Sequence, residues 1–524
     1  MGRLALGQRR GGTRARRDHR VGAGAAVALA AFVGVVAAET PVFVDATAVA
    51  GLHHVYSGGT DYVVGGGAAA FDCSGDGLPD LAIAGAEAPL TLWRNTGRPG
   101  RPPSFGRSDL VEILGSTGVY PIDIEGDGTL DLFVLRFGRN RLLRGLGDCQ
   151  FEDATDRFGL PERADWSTAF AAHWEGEGLP TLFVGNYVPR DRPLARRGNC
   201  EASYLLRPEG NAYGAPIEIP GACSLSALFV DWDGVGRFDL RLANDREYYD
   251  RGQSEQLLQL TPEGLKPWTS AEGWDDVSLW GMGLAAADLT GDGRPEIAVT
   301  SMADNRLEQV REGGGPRFDD VARSLGATAQ RPYAGPDLRP STAWHTEFGD
   351  ANNDGWTDLL IVKGNVDEMP RMAAFDPDTL LLGGPDGFRE VGYEAGLAVD
   401  TKGRGAVFQD LTGDGARDIL TVNRNQPVRL VAGRPLGGAV AIDVRQPGSN
   451  RFAVGARIEL DLGDRILSQS RLVGGGHAGG SILPLHFGIG AREQVKARVI
   501  WPDRTASEWR EVTRGGSITF EKEM

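Results

Sequence analysis

Nine consecutive residues, Asp350-Ala-Asn-Asn-Asp-Gly-Trp-Thr-Asp358, carry oxygen-bearing side chains at positions one, three, five and nine and a glycine at position six. A hard cation such as Ca2+ takes six to eight oxygens at about 2.3–2.6 Å. A tight loop supplies them by turning alternate side chains inward and adding a backbone carbonyl. The glycine belongs where the backbone enters a region that a Cβ disfavours. One such nonapeptide also fits an ordinary acidic turn, but this one recurs.

Loops of the same form begin at Asp72, Asp123, His173, Asp231, Asp288, Asp350 and Asp410, at steps of 51, 50, 58, 57, 62 and 60 residues. Position six is glycine in every copy: Gly77, Gly128, Gly178, Gly236, Gly293, Gly355 and Gly415. The acids are less regular. The third copy reads His173, Glu175, Glu177 and Thr181, and the fourth keeps Asp231, Asp233 and Asp239 but has Val235 at position five. The turn is therefore required everywhere and the charge only in some copies. Five copies are expected to hold metal, the fourth to form a weak sixth site, and the third to hold none.

Short apolar segments must position these loops. Each loop follows a small-residue run, such as Gly66–Phe71, Trp280–Ala287 or Gly403–Phe408, and precedes a run such as Leu81–Ala84, Leu132–Leu135 or Leu359–Val362. Runs this short, bounded by turn residues, read as buried strands. A second signature, beginning at Phe43, Phe151, Phe318 and Phe388, marks an outer strand. Its first copy precedes the first loop, so it is free to complete the last repeat and close a ring without exposed sheet edges. The reading is an all-β chain: a seven-bladed β-propeller over residues 39–435, then a small β-domain over 436–524, where Ala439–Val444, Ala456–Leu462, Val495–Trp501 and Ser517–Phe520 alternate with period two. An open β-solenoid competes, but its repeats are usually shorter.

Residues 1–38 combine seven arginines with an apolar stretch, Val21–Ala38, that ends in Val-Ala-Ala. This is the pattern of an export signal cleaved after Ala38, with a secreted or periplasmic product. Left uncleaved, it would anchor the chain in a membrane. The chain has formal charge -16, and loss of residues 1–38 would leave 48 basic against 70 acidic side chains. Such a surface argues against nucleic acid as a partner and favours divalent cations. Cys200 and Cys223 bracket a segment outside the repeats and are expected to pair. Cys73 and Cys149 offer no such argument, and four reduced, buried thiols remain the alternative.

The repeated Asp-x-[Asp/Asn]-x-Asp-Gly-x-x-Asp motif with its following strand resembles the FG-GAP or VCBS repeats of integrin α-subunit propellers. The Arg94-Asn-Thr-Gly97 stretch resembles a sequence that often follows in bacterial versions. The resemblance implies Ca2+ on the side chains at positions one, three, five and nine and on the carbonyl at position seven. It assigns Asp72, Ser74, Asp76, Leu78 and Asp80 in the first loop, and Asp123, Glu125, Asp127, Thr129 and Asp131 in the second. It assigns Asp288, Thr290, Asp292, Arg294 and Glu296 in the fifth, Asp350, Asn352, Asp354, Trp356 and Asp358 in the sixth, and Asp410, Thr412, Asp414, Ala416 and Asp418 in the seventh. Ser74, Thr290 and Thr412 depart from the usual acid or amide, which should lower affinity. Further on, Asn450–Arg457, Leu485–Gly490 and Val499–Asp503 resemble the ASPIC/UnbV domain. Propeller plus this domain is similar to the cartilage acidic protein type of architecture. That likeness implies arrangement and Ca2+ more than a reaction.

Neither a His-Glu-x-x-His zinc motif nor a Gly-x-Ser-x-Gly nucleophile elbow occurs. His477, within Gly474-Gly-Gly-His-Ala-Gly-Gly480, stands out because its glycines let backbone approach a ligand closely. Two function classes remain. One is a monomeric, Ca2+-stabilised module for adhesion or for binding a protein or carbohydrate. The other is a hydrolase-type enzyme that uses the central funnel, with His345, Glu347 or His53 as acid–base groups. They separate on whether titratable groups converge at the funnel mouth.

Overall fold

The computed structural model describes residues 39–523 except 192–199, 246–253, 276 and 367–368; the expected export segment, 1–38, lies outside the described residues. Strands dominate, and the two α-helices among the described residues are four residues each. Among the described residues no helix is long and apolar enough to cross a membrane.

The strands fall into seven successive four-stranded antiparallel units. In each unit the loop motif joins the first strand to the second, as between Ala68–Phe71 and Asp80–Ile83 or between Ala343–Gly349 and Asp358–Lys363. Position nine is always the first residue of the second strand: Asp80, Asp131, Thr181, Asp239, Glu296, Asp358 and Asp418. The second strands are buried on both faces, which explains their unbroken apolar runs. The phenylalanine signature lies at fourth strands, Gln150–Asp153, Phe318–Asp320 and Arg389–Glu390. The last unit takes its fourth strand from the start of the chain: Val44 pairs with Ala432 and Asp45 with Val431. The ring therefore closes by pairing the first strand with the last repeat.

Residues 438–521 form two further sheets. Gly438–Arg445 lies between Leu485–Gly490 and Ser517–Glu521, and Arg457–Asp461 lies between Ile466–Ser470 and Gln494–Ile500. Val440, Ile442, Val444, Ile458, Leu460, Val499 and Phe520 pack between them, as the period-two alternation requires.

The connection between these sheets does not stay within them. Residues 473–482 enter the middle of the ring and bond to its innermost strands. Gly475 N donates to Ala227 O (2.7 Å), Gly476 N to Leu284 O (2.7 Å), Ala172 N to Val473 O (3.1 Å) and Val119 N to Ala478 O (3.0 Å). Ser481–Ile482 runs parallel to Ala70–Phe71. The small residues of the first strands now have a reason. A Cβ on Gly67 would stand 1.7 Å from Ala478 O, and one on Gly118 2.3 Å from the same atom. The plug fits because its walls lack side chains there.

Candidate metal loops and the central cavity

All seven position-six glycines have positive φ, from +83° at Gly236 to +99° at Gly178. In every loop but the third, the backbone N–H of this glycine turns back to the first loop residue, as Gly236 does to Asp231 (2.8 Å). Gly77, Gly128, Gly293, Gly355 and Gly415 each donate to the second carboxylate oxygen of Asp72, Asp123, Asp288, Asp350 and Asp410, at 2.8–2.9 Å. Position five caps position seven: Asp76, Asp127, Asp292, Asp354 and Asp414 accept from Leu78, Thr129, Arg294, Trp356 and Ala416. Such side chain–backbone turns are what short acidic side chains do best.

Position nine braces the loop against the sheet. One oxygen of Asp80, Asp131, Glu296, Asp358 and Asp418 accepts the N–H of position two: Cys73, Ile124, Leu289, Ala351 and Leu411. The other accepts from the third strand's end, as from Asn95, Gly145, Gly383 and Gly433. In the fifth loop the longer Glu296 reaches the Gln309 side chain instead.

These carboxylates are buried beside one another, and the electrostatics follow. Desolvation pushes Asp80 and Asp123 up to about 6, and Asp131 and Asp350 up to about 7. Asp358 and Asp418 rise well above the carboxylate range from burial, with Asp350 and Asp410 adding like-charge repulsion. A cation placed between such groups would remove the penalty, so the donor set fits an oxygen-ligated divalent ion.

The loops are not equivalent. In the second, Arg144 bonds both Glu125 and Asp127 (3.1 Å to the latter), and Arg157 also holds Glu125. In the fifth, Arg294 Nε lies 2.9 Å from Asp292, and Ser468 donates to Asp288 at 2.9 Å. The first, sixth and seventh loops have no arginine bonded to their acids among the described residues. In the third, His173 stacks on Phe238 (4.6 Å), burial lowers its pKa to about 4, and Arg207 takes Glu175. In the fourth, Asp239 accepts the indoles of Trp232 and Trp268, both at 2.8 Å.

Sequence reasoning missed three features here. Position four also has positive φ in six loops, at Gly75, Gly126, Gly234, Gly291, Asn353 and Gly413. Their recurring glycines were the signal. Cys73, at position two of the first loop, is disulfide-bonded to Cys149 in the second unit, a pairing the sequence left open, whereas Cys200 pairs with Cys223 as expected; the proximity of Cys73, Asp80 and Cys149 reflects the first bond. Thirdly, the C-terminal domain docks on the loops. Arg451 donates to Gly126 O (2.9 Å), Arg457 to Gly293 O (2.8 Å) and Arg465 to Gly355 O (2.8 Å), while Ser449 accepts from Gly178 N (2.8 Å).

Of the acid–base candidates, His345 and Glu347 converge, with Nε2 3.5 Å from Oε2. His53 is exposed and does not line the cavity they share. His477, at the plug's tip, is fully buried. Its Nε2 accepts from Gly65 N (3.1 Å), its Nδ1 faces Met282 O, and its ring meets Trp344 edge-on.

Residues 72–134 match the profile of the FG-GAP-like repeat, and residues 446–523 that of the ASPIC and UnbV domain. No curated protein sequence matches the chain significantly. Among solved structures, one similar chain is BBS1N in complex with ARL6DN: 14% identity, 75% of this chain, 97% of that one, TM-score 0.43. Another is an Agrocybe aegerita lectin described as recognising non-reducing terminal N-acetylglucosamine: 14% identity, 68% and 88% coverage, TM-score 0.39.

Proposed function

We propose that this chain, an FG-GAP-like propeller joined to an ASPIC/UnbV domain, works as an exported binding module whose loops are locked by Ca2+. The observation that carries this reading is the pairing of buried carboxylates at positions one and nine, Asp350 with Asp358 above all, without a bonded arginine. The first, sixth and seventh loops are the strongest sites. Arginine competes in the second and fifth, and the fourth is weak. Asp72, Asp76, Asp80, Asp350, Asn352, Asp354, Asp358, Asp410, Asp414 and Asp418 are the side chains that would hold the ions. Bound there, Ca2+ supplies positive charge at loop hinges and leaves the chemistry of recognition to the protein surface. Two disulfides support an oxidising compartment, and the partner is a protein or carbohydrate.

The convergence of His345 and Glu347 favours ligand binding over hydrolysis. Both Glu347 oxygens are held, by Gln409 Nε2 (2.6 Å) and Phe408 N (3.2 Å). Among the described residues His345 Nδ1 is engaged by the backbone N–H of His477, and no hydroxyl or thiol hydrogen-bonds the ring.

Calorimetric titration with Ca2+, paired with melting in chelator, tests the reading. About five ions are expected, three tight and two weaker. Each tight site should add about 2.7 kcal/mol of stability when calcium is at a hundred times its Kd. A melting temperature indifferent to chelator would overturn it.

A further inference from the structure

The C-terminal domain does not treat the metal loops alike. A Cβ on the position-six glycine would meet Arg451 in the second loop (3.6 Å), Arg504 in the fourth (2.6 Å), Arg457 in the fifth (3.1 Å) and Leu462 in the sixth (2.9 Å). At Gly77 and Gly415, in the first and seventh loops, it would meet nothing within 4 Å. The second and fifth loops still reach water, with Asp127, Gly128, Gly291 and Asp292 exposed. The sixth does not. Its Asp350, Asn352, Asn353, Gly355 and Asp358 are all buried, and Asp354 alone of the four side-chain donors is partly accessible.

The cover comes from residues that are not themselves donors. Gly488 lies flat on Asp350, where a Cβ would stand 1.9 Å from Oδ2. Gly490 N donates to Asn353 O (2.7 Å), and Gly437 N to Asn352 O (3.0 Å). His486 Nε2 donates to Asn353 Oδ1 (2.7 Å). Arg465 donates to Gly355 O through Nε (3.0 Å) and Nη2 (2.8 Å), and its guanidinium lies over the Trp356 ring at 3.9 Å. An ion held by oxygens leaves by exchanging them for water, so the shell around a donor set controls its release. Here that shell is the strand Leu485–Gly490 with Leu462 and Arg465. It can lift only by local undocking of the C-terminal domain.

We infer that the C-terminal domain is a latch on the sixth loop: Ca2+ bound there exchanges only when this strand and Arg465 lift away, while ions in the first and seventh loops exchange freely. By linkage the sixth ion in turn holds the domain down. The inference rests on the calcium reading, but it concerns which ion is trapped and by what, so calcium can bind while the latch fails.

The test loads the full chain with Ca2+ and mixes it rapidly with a chromogenic chelator. One ion per chain should leave about a hundredfold more slowly than the others. Tb3+ in place of Ca2+ locates it. Trp356, at position seven, is the only tryptophan within the five loops assigned metal, so the slow ion should show tryptophan-sensitised emission that Trp356→Phe removes. Leu462→Ala combined with Arg465→Ala strips the cover and spares every donor. It should speed the slow phase about tenfold and leave the fast phases unchanged. Urea below the unfolding midpoint should do the same without any substitution, which keeps the test decisive if the double variant does not fold. Absence of any bound ion would overturn the calcium reading and the latch with it. Ions that bind but all leave in one fast phase would overturn the latch alone. So would slow emission that survives Trp356→Phe, or a slow phase that urea, or the folded double variant, leaves unchanged.

Discussion

The backbone N–H of His477 donates to Nδ1 of His345 across 3.1 Å, joining residues 132 apart in the chain. Through this bond the tip of the C-terminal plug fixes Nδ1 of the sixth unit's histidine as a hydrogen-bond acceptor. The two parts of the chain thus share one interior, and the described residues form one compact unit.

That burial has an acid signature. Desolvation lowers the His477 pKa to about 3, with Arg404 and His345 as charged or titratable neighbours. The folded value lies below the ordinary 6.5. Its contribution to stability is therefore complete above pH 6.5 and is lost as pH falls toward 3. At pH 5 the loss is about 2 kcal/mol. His477→Gln should reduce the fall in unfolding free energy, measured by urea titration, between pH 7 and pH 5 by that amount.

Arginine and calcium should compete in the second loop. Arg144 bonds Glu125 and Asp127, two of the side chains that would hold the ion. Arg144→Ala should raise calcium affinity there by about tenfold, seen as a weak calorimetric phase becoming tight. Asp354→Ala should delete one tight site, and Glu175→Ala, in the third loop, should delete none.

The Cys73–Cys149 bond spans 76 residues and fastens the first metal loop to the second unit. Replacing both with serine should cost about 2–4 kcal/mol in denaturant unfolding. Amide exchange should rise first at Cys73 and Ser74, whose N–H groups bond Asp80.

How much of this the sequence displayed depends on range. The loop glycines were legible because a positive φ is a local demand, repeated at Gly77 through Gly415. Ring closure was legible because the Phe43 signature preceded any loop it could serve. The His477 run was conspicuous, yet its place inside the ring was not. Gly67 and Gly118 read only as small residues, and what they admit comes from 411 and 360 residues later in the chain, at Ala478. Arg144 and Arg451 were invisible for the same reason. Their partners are set by register and docking, which no spacing rule records.

The plug can be tested apart from the loops. A Cβ at Gly479 would stand 2.2 Å from Ala68 O and 2.7 Å from Ala68 N, both backbone atoms that cannot step aside. Gly176 has nothing within 4 Å of its Cβ and no positive φ. Gly479→Val should therefore cost about 3 kcal/mol or more by overpacking, while Gly176→Ala should be near neutral. If the plug is expelled, the amides of Val119, Ala172 and Leu284 lose their partners Ala478, Val473 and Gly476. Hydrogen exchange should then quicken at those three innermost-strand positions while second-strand amides, such as those of Leu359–Val362, keep their protection. Uniform loss of protection would mean that the ring and the plug unfold as one, and unchanged exchange at Val119 would mean that the plug does not sit where its bonds place it.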